Sequence, residues 1–278
     1  MMISLCNEVL RGLDFSAQCA LARGLGYDGL EIAPFTLADQ PDRLPAASRA
    51  ELRRIAGDQG VAITGLHYPL LAPPGLSITS PDAAVRTRTI EVMRALIELC
   101  ADLGGKILVH GSPKQRLVAP DQSKDEALAN AKACFAAIAG DAEAAGVTYC
   151  IEALAPPEEE LINAVADAAA IVGEIGSAAV RTMIDTCAAG RSEGKPIPDL
   201  IERWLPTGKV AHIHLNDPNR RGPGQGDLRF GPILAALQGH GYAGICSIEP
   251  FVYEPDGPTC AARAIGYVHG LLEALERQ

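Results

Sequence analysis

Eight short β-prone runs in this chain each end in a residue that can move a proton or hold a cation: Glu8, Glu31, His67, His110, Glu152, Asp185, His214 and Glu249. A strand that merely meets solvent can end as well in Ser, Thr, Asn or Lys. A set made only of acids and imidazoles points instead to one shared site. Five carboxylates brought together repel one another, so either some keep their protons or a cation shares them. Glu152, Asp185, His214 and Glu249 end four consecutive runs. Three carboxylates and one imidazole suit a hard to borderline divalent ion, Mn²⁺ first, with Mg²⁺, Co²⁺ or Zn²⁺ as alternatives. A structural zinc site would favour thiolates or more histidines. An ion with open positions polarises a carbonyl and an adjacent hydroxyl. A flanking carboxylate can then take the proton next to the carbonyl, and a second can return it.

The elements that must position these residues follow one punctuation. A helical stretch closes at a Gly, and a β-prone run begins a few residues later, as in ALARGLGYDGLEIA, ELCADLGGKILVHGS and LPTGKVAHIHLND. The segments between carry helical periodicity, for example AAVRTRTIEVMRALIELCADLG and ALANAKACFAAIAGDAEAAG. Successive strand-end residues lie between 23 positions apart (Glu8 to Glu31) and 43 apart (His67 to His110), about one βα unit each. Alternation of this kind implies right-handed βαβ units and a parallel sheet. With ISLCNE as the first strand there are eight units and no composition break or linker. The expectation is one domain over residues 1–278, an α/β chain closed as a (β/α)8 TIM barrel rather than left as an open sheet. Its 278 residues match the roughly 250 of that fold. There the C-terminal ends of the strands converge on one mouth, where the active site lies.

Composition narrows the partners. At 48% hydrophobic and 21% charged, the chain can bury a large core. A net charge of −10, with no basic cluster larger than Arg220–Arg221, argues against nucleic acid, whose phosphates draw Lys and Arg. No apolar run approaches the ~20 residues of a membrane span, and MMISLCNEVL lacks the basic flank and apolar stretch of a signal peptide. The eight cysteines are scattered without a CxxC pair, which implies reduced thiols and a cytoplasmic protein.

As an ordered set, YDGLEIAPF, LVHGSP, IEAL, MIDT, HIHLND with PNRRGPGQGDLRF, and SIEPF resemble the xylose-isomerase-like barrel superfamily, and within it most closely the ketose 3-epimerases. The superfamily also contains hydroxypyruvate isomerases, inosose dehydratases and endonuclease IV. The resemblance implies that Glu152, Asp185, His214 and Glu249 bind the metal. It further implies that Glu152 and Glu249 form the acid/base pair on opposite faces of the sugar, and that Arg220 and Glu158 contact substrate. His67, His110 and Glu31 are expected as further substrate-binding groups at the mouth. The acidic, aromatic run EPFVYEPDGP after the eighth strand offers no phosphate grip, so an unphosphorylated sugar or polyol derivative is favoured; Phe251 and Tyr253 in it can stack on a sugar face. A homo-oligomer remains open, since nothing in the sequence locates an interface.

One departure bears on the reaction. The epimerases and endonuclease IV carry a His three residues after the sixth-strand Asp, where this chain has Ala188. The leading expectation is a metal-dependent carbohydrate isomerase or epimerase working through an enediolate next to a metal-bound carbonyl. The alternative is a metal-dependent dehydratase or lyase on a keto-sugar or inosose, for which Ala188 would leave a roomier pocket. A non-catalytic sugar-binding barrel is the rival from another class. DNA repair is disfavoured by the missing His and the acidic chain.

Overall fold

The computed structural model describes residues 1–277. Eight strands, β1 Met2–Cys6, β2 Gly29–Ile32, β3 Ala62–His67, β4 Ile107–His110, β5 Thr148–Ile151, β6 Val180–Asp185, β7 Val210–Leu215 and β8 Ile245–Ile248, pair in parallel in sequence order. Pairing of β8 with β1 closes the barrel. The helices are α1 Phe15–Leu25, α2 Ala46–Asp58, α3 Ala83–Leu103, α4 Lys124–Ala137, α5 Ala139–Ala145, α6 Val165–Ile175, α7 Thr186–Ser192, α8 Ile197–Trp204, α9 Phe230–Gly239 and α10 Gly257–Glu276. The expected (β/α)8 TIM barrel is therefore what the chain forms. Among the described residues no helix is long and apolar enough to cross a membrane.

Local chemistry sets the helix ends. Asp14, Asp82, Ser123 and Asp256 each accept a backbone N–H in the first turn of α1, α3, α4 and α10. At the end of α1, Gly26 takes a left-handed conformation (φ 94°) that a side chain would strain, and the chain turns there into β2.

Two apolar layers hold the barrel. The outer one, between strands and helices, contains Leu30, Leu66, Leu108, Ile151, Ile184, Ile213 and Ile248 from alternate strand positions. The inner one is small: Ile107, Val109, Cys150 and Met183, with Ala211 and Ile245 against them. It fills the base of the barrel and leaves the upper interior to polar side chains. Register shifts between Leu30 and Glu31 and between Thr182 and Met183 mark bulges in β2–β3 and β6–β7, the irregularity often found beside active sites.

Candidate active site and metal centre

Because strand side chains alternate between faces, each strand-end residue points into the barrel or out to the helices according to its parity. Register with a known neighbour decides which. Asp185 pairs with His214, and His214 with Ser247, on the interior face. Glu31 pairs with Gly65, and His67 with Val109 of the inner core. Glu152 and Glu249 follow β5 and β8 by one residue, in phase with Cys150 and Ser247. Glu8 lies in a short 3-10 turn just past β1.

Glu152, Asp185, His214 and Glu249 each bring one ligand atom to within 4.8 Å of the others, and all four are buried. His214 Nδ1 is 2.9 Å from Glu249 Oε2 and 3.9 Å from Asp185 Oδ2. Asp185 is fixed from two sides. Its Oδ1 accepts the Ala188 N–H at 2.6 Å as the N-cap of α7, and its Oδ2 accepts from Asn216 Nδ2 at 2.8 Å. Asn216 also donates to the Glu249 carbonyl at 3.1 Å. Glu152 packs against Gly111, where a Cβ would stand 1.8 Å from Glu152 Oε2. Behind it, Arg116 Nη1 donates to the Glu152 carbonyl at 2.8 Å and Arg116 Nε meets Glu159 Oε2 at 2.8 Å, both side chains fully buried.

Crowding shows in the acid–base properties. Burial raises the Glu152 carboxyl well above its usual range, and the like charges of Glu249 and Asp185 add to the rise. Burial likewise raises Asp185 and Glu249, with His214 pulling each part of the way back. For His214 burial opposes the charged form, but Glu249 and Glu31 outweigh it and hold its pKa well above that of a free imidazole. These groups are short of positive charge, and a donor set of three carboxylates and one imidazole fits a divalent cation that would supply it.

The structure places the other expected site residues in three different settings. Glu31 does not reach the cleft. It is 0% exposed, and its Oε1 meets His214 Nε2 at 3.1 Å while its Oε2 meets His212 Nε2 at 2.9 Å and accepts from Ser247 Oγ. Burial works against its charge, yet the two imidazoles overcome that and hold its pKa well below normal. It therefore orients His214 from behind, as carboxylates commonly do for metal-bound imidazoles. His67 points inward and bonds Glu8 Oε2 at 2.7 Å. His110 corrects the expectation. It pairs with Ile151 of the outer layer, its Nδ1 lies 2.7 Å from the Tyr149 hydroxyl, and its ring packs on Phe135 of α4. Leu108 and His110 share a parity, so His110 faces the helices, and Gly111 is the inward position at that strand end.

Above the four-residue cluster a cleft opens, lined by Glu152, Asp185, Ala188, Glu158, Arg220 and Phe251 among others. Glu158 Oε1 is 3.3 Å from Arg220 Nη1 and 2.8 Å from Arg191 Nη1. The Arg220 guanidinium lies 4.9 Å from the Phe251 ring centre. Tyr68 (φ 51°) and Arg220 (φ 69°), the two non-glycine residues with positive φ among the described residues, both line this cleft. Such strain costs about 1–3 kcal/mol and persists where surroundings impose it; here the Arg220 carbonyl is held by the N–H groups of Phe251 and Val252 at 2.8 and 3.0 Å. Tyr253 packs on the core instead. Sequence reasoning missed Arg191, Asn216 and the Arg116–Glu159 pair. Asn216 was within reach, in HLND two residues after His214. The Arg116–Glu159 pair joins two loops that share no periodic signal.

Comparison with known proteins agrees with this geometry. Residues 19–269 match the family described as xylose isomerase-like TIM barrel. The chain is 30% identical over 246 residues to an L-ribulose 3-epimerase of Mesorhizobium japonicum, covering 86% of this chain and 78% of that one. It is also 30% identical over 234 residues to a D-psicose 3-epimerase of Agrobacterium fabrum, covering 82% and 76%. A D-psicose 3-epimerase from Clostridium cellulolyticum H10, solved with D-tagatose, superposes with a TM-score of 0.84 at 22% identity over 98% of this chain and 99% of that one. Strand order, the inward parity of the four clustered residues and these matches agree: the chain belongs to the xylose isomerase-like TIM barrel family.

Proposed function

We propose that this protein is a divalent-metal-dependent carbohydrate isomerase or epimerase acting on a ketose-like sugar or polyol derivative. The observation that carries the reading is the pairing of two buried carboxylates, Glu152 and Glu249, in one cluster with Asp185 and His214 at the floor of an open cleft. The relatives named L-ribulose and D-psicose 3-epimerase support the substrate class. Glu152, Asp185, His214 and Glu249 would hold the ion, with Mn²⁺ the best match to an oxygen-rich set. When bound, it polarises the ketose carbonyl and stabilises negative charge developing on its oxygen.

The chain's own groups supply the rest. One of Glu152 and Glu249 removes the proton next to the carbonyl, giving an enediolate, and the other returns a proton to the opposite face. Glu31 holds the His214 ring, and Asn216 holds Asp185, so neither ligand needs to reorient during turnover. Arg220 and Glu158 reach substrate oxygens from the cleft wall, and Phe251 offers an apolar face. Eight free, buried cysteines suit a reducing cytoplasm.

The test is proton NMR in D₂O with Mn²⁺ and a panel of ketoses and 3-keto sugars. Exchange of one proton next to the carbonyl with the carbon skeleton retained, abolished in Glu152→Gln and Glu249→Gln, supports the reading. One observation favours a second reading: Ala188 puts only a methyl group on the cleft wall, leaving room for a bulkier substrate and for elimination after the same proton removal. A new vinylic signal would establish that lyase. Stoichiometric ligand binding with no exchange on any substrate would leave only a sugar-binding barrel.

A further inference from the structure

Beside Glu249, the barrel mouth contains three further donors that the proposed reaction does not use. Cys6, Glu8, His67 and Glu249 each offer one ligand atom within 4.8 Å of the others, and all four residues are buried. Glu249 divides its oxygens: Oε2 lies 2.9 Å from His214 Nδ1, whereas Oε1 lies 4.0 Å from His67 Nε2. Glu31 stands behind both rings, its Oε1 being 3.1 Å from His214 Nε2 and 3.8 Å from His67 Nδ1. Each imidazole is thus bracketed between Glu31 and Glu249, the arrangement in which one ring nitrogen is anchored by a carboxylate and the other faces a metal. Donor capacity is also left over. Glu8 is 7% exposed and its Oε1 has no hydrogen-bond partner. The Glu8–His67 contact at 2.7 Å joins Glu8 Oε2 to His67 Nε2, the ring nitrogen on the Glu249 side, and leaves Glu8 Oε1 and the fully buried Cys6 thiol unused.

We propose that Cys6, Glu8, His67 and Oε1 of Glu249 form a second divalent-cation site, with Glu249 bridging it to the first. The inference builds on the metal site proposed above but not on the reaction assigned to it. Bond lengths of about 2.0–2.3 Å place neighbouring donors of a tetrahedral ion roughly 3.3–3.8 Å apart, so side-chain shifts of about an ångström close the set. A thiolate and an imidazole select a borderline ion such as Zn²⁺ or Co²⁺, whereas the sulfur-free first set suits a harder one. On binding, the Cys6 thiol gives its proton to solvent and its sulfur pair to the ion, with no change of oxidation state.

The experiment is titration of metal-free full-length protein with Co²⁺, read by bound-metal analysis and by the near-ultraviolet sulfur-to-cobalt charge-transfer band, in the wild type, Cys6→Ser, Glu8→Gln and Asp185→Asn. Expected are two equivalents and the band in the wild type, one equivalent without the band in Cys6→Ser, a weakened second equivalent in Glu8→Gln, and a retained band in Asp185→Asn. The wild-type reading needs no variant to fold. A single equivalent without the band, or a band that survives Cys6→Ser, overturns the inference. Single-equivalent protein that still exchanges a ketose proton overturns it while leaving the proposed reaction standing. Two equivalents with no exchange on any substrate would do the reverse.

Discussion

Gly111→Ala separates the site from the fold more sharply than any change to a ligand itself. A Cβ at this position would stand 1.8 Å from Glu152 Oε2 and 3.0 Å from Glu152 Cδ, while ordinary contact begins at 3.4 Å. The carboxylate must therefore retreat by about 1.6 Å. The end of a Glu side chain can do that cheaply, and the nearest atoms to the new methyl all belong to Glu152. A less flexible unfolded chain returns about 0.4–1 kcal/mol to stability, so Tm should move by only a few degrees. The site has no such tolerance. Metal–ligand distances hold to about ±0.2 Å, and a misplacement of about 1 Å can cost on the order of 100-fold in rate. The expected result is a kcat at least about 100-fold lower, with Mn²⁺ affinity down by about 10- to 100-fold. Calorimetry for metal, proton exchange for activity and a thermal melt together read this. Gly57→Ala, in α2 with open space around it, is the control and should leave both metal binding and rate unaltered. Wild-type rate and affinity in Gly111→Ala at an unchanged Tm would refute the reasoning, because Glu152 would then not be needed where the structure puts it.

Four other outcomes follow from the same geometry. Burial and the neighbouring Glu249 and Asp185 keep the Glu152 carboxyl protonated above its usual range. Binding Mn²⁺ must expel that proton, so affinity should rise with pH, and calorimetry in buffers of different ionisation heat should show proton release. At 100-fold excess over Kd the ion should stabilise the fold by about 2.7 kcal/mol, a Tm gain of roughly 5 °C for a chain of this size, lost on chelation. Arg116→Ala leaves Glu159 charged and fully buried without its partner, and should cost about 3–5 kcal/mol in denaturant titrations; the double variant with Glu159→Gln should recover part of it. Burial, then the Arg116 charge, hold the His110 pKa well below 6.5. Its native state binds fewer protons than the unfolded one, so its contribution is complete above pH 6.5 and drains as pH falls toward the depressed value. His110→Gln should flatten that acid-side loss of stability while kcat/KM stays within about twofold, and a large kcat/KM loss without destabilisation would return His110 to the site.

What the chain revealed before folding, and what it hid, comes down to period and parity. The barrel was legible because each βα unit repeats the same punctuation, and repetition survives errors of a residue or two at any boundary. Glu152 and Asp185 were legible because each follows a run whose alternate positions are apolar in both layers, Cys150 and Ile151 before the one and Met183 and Ile184 before the other. His110 looks identical by that rule, being polar and last in an apolar run. Only pairing partners tell it from His67: one sits beside Ile151, the other beside Val109. A register is a relation between strands some 40 residues apart, and no single run records it. Yet the sequence did contain a local trace. Gly111 follows His110 in LVHGSP, and a residue without a side chain at a strand end marks a place that another group fills. The carboxylate of Glu152 fills it. Gly65 differs: its Cβ would meet the backbone carbonyl of Ile107 at 2.2 Å, so it reports close strand packing in the lower barrel, and only the glycine at a strand's end marks the site.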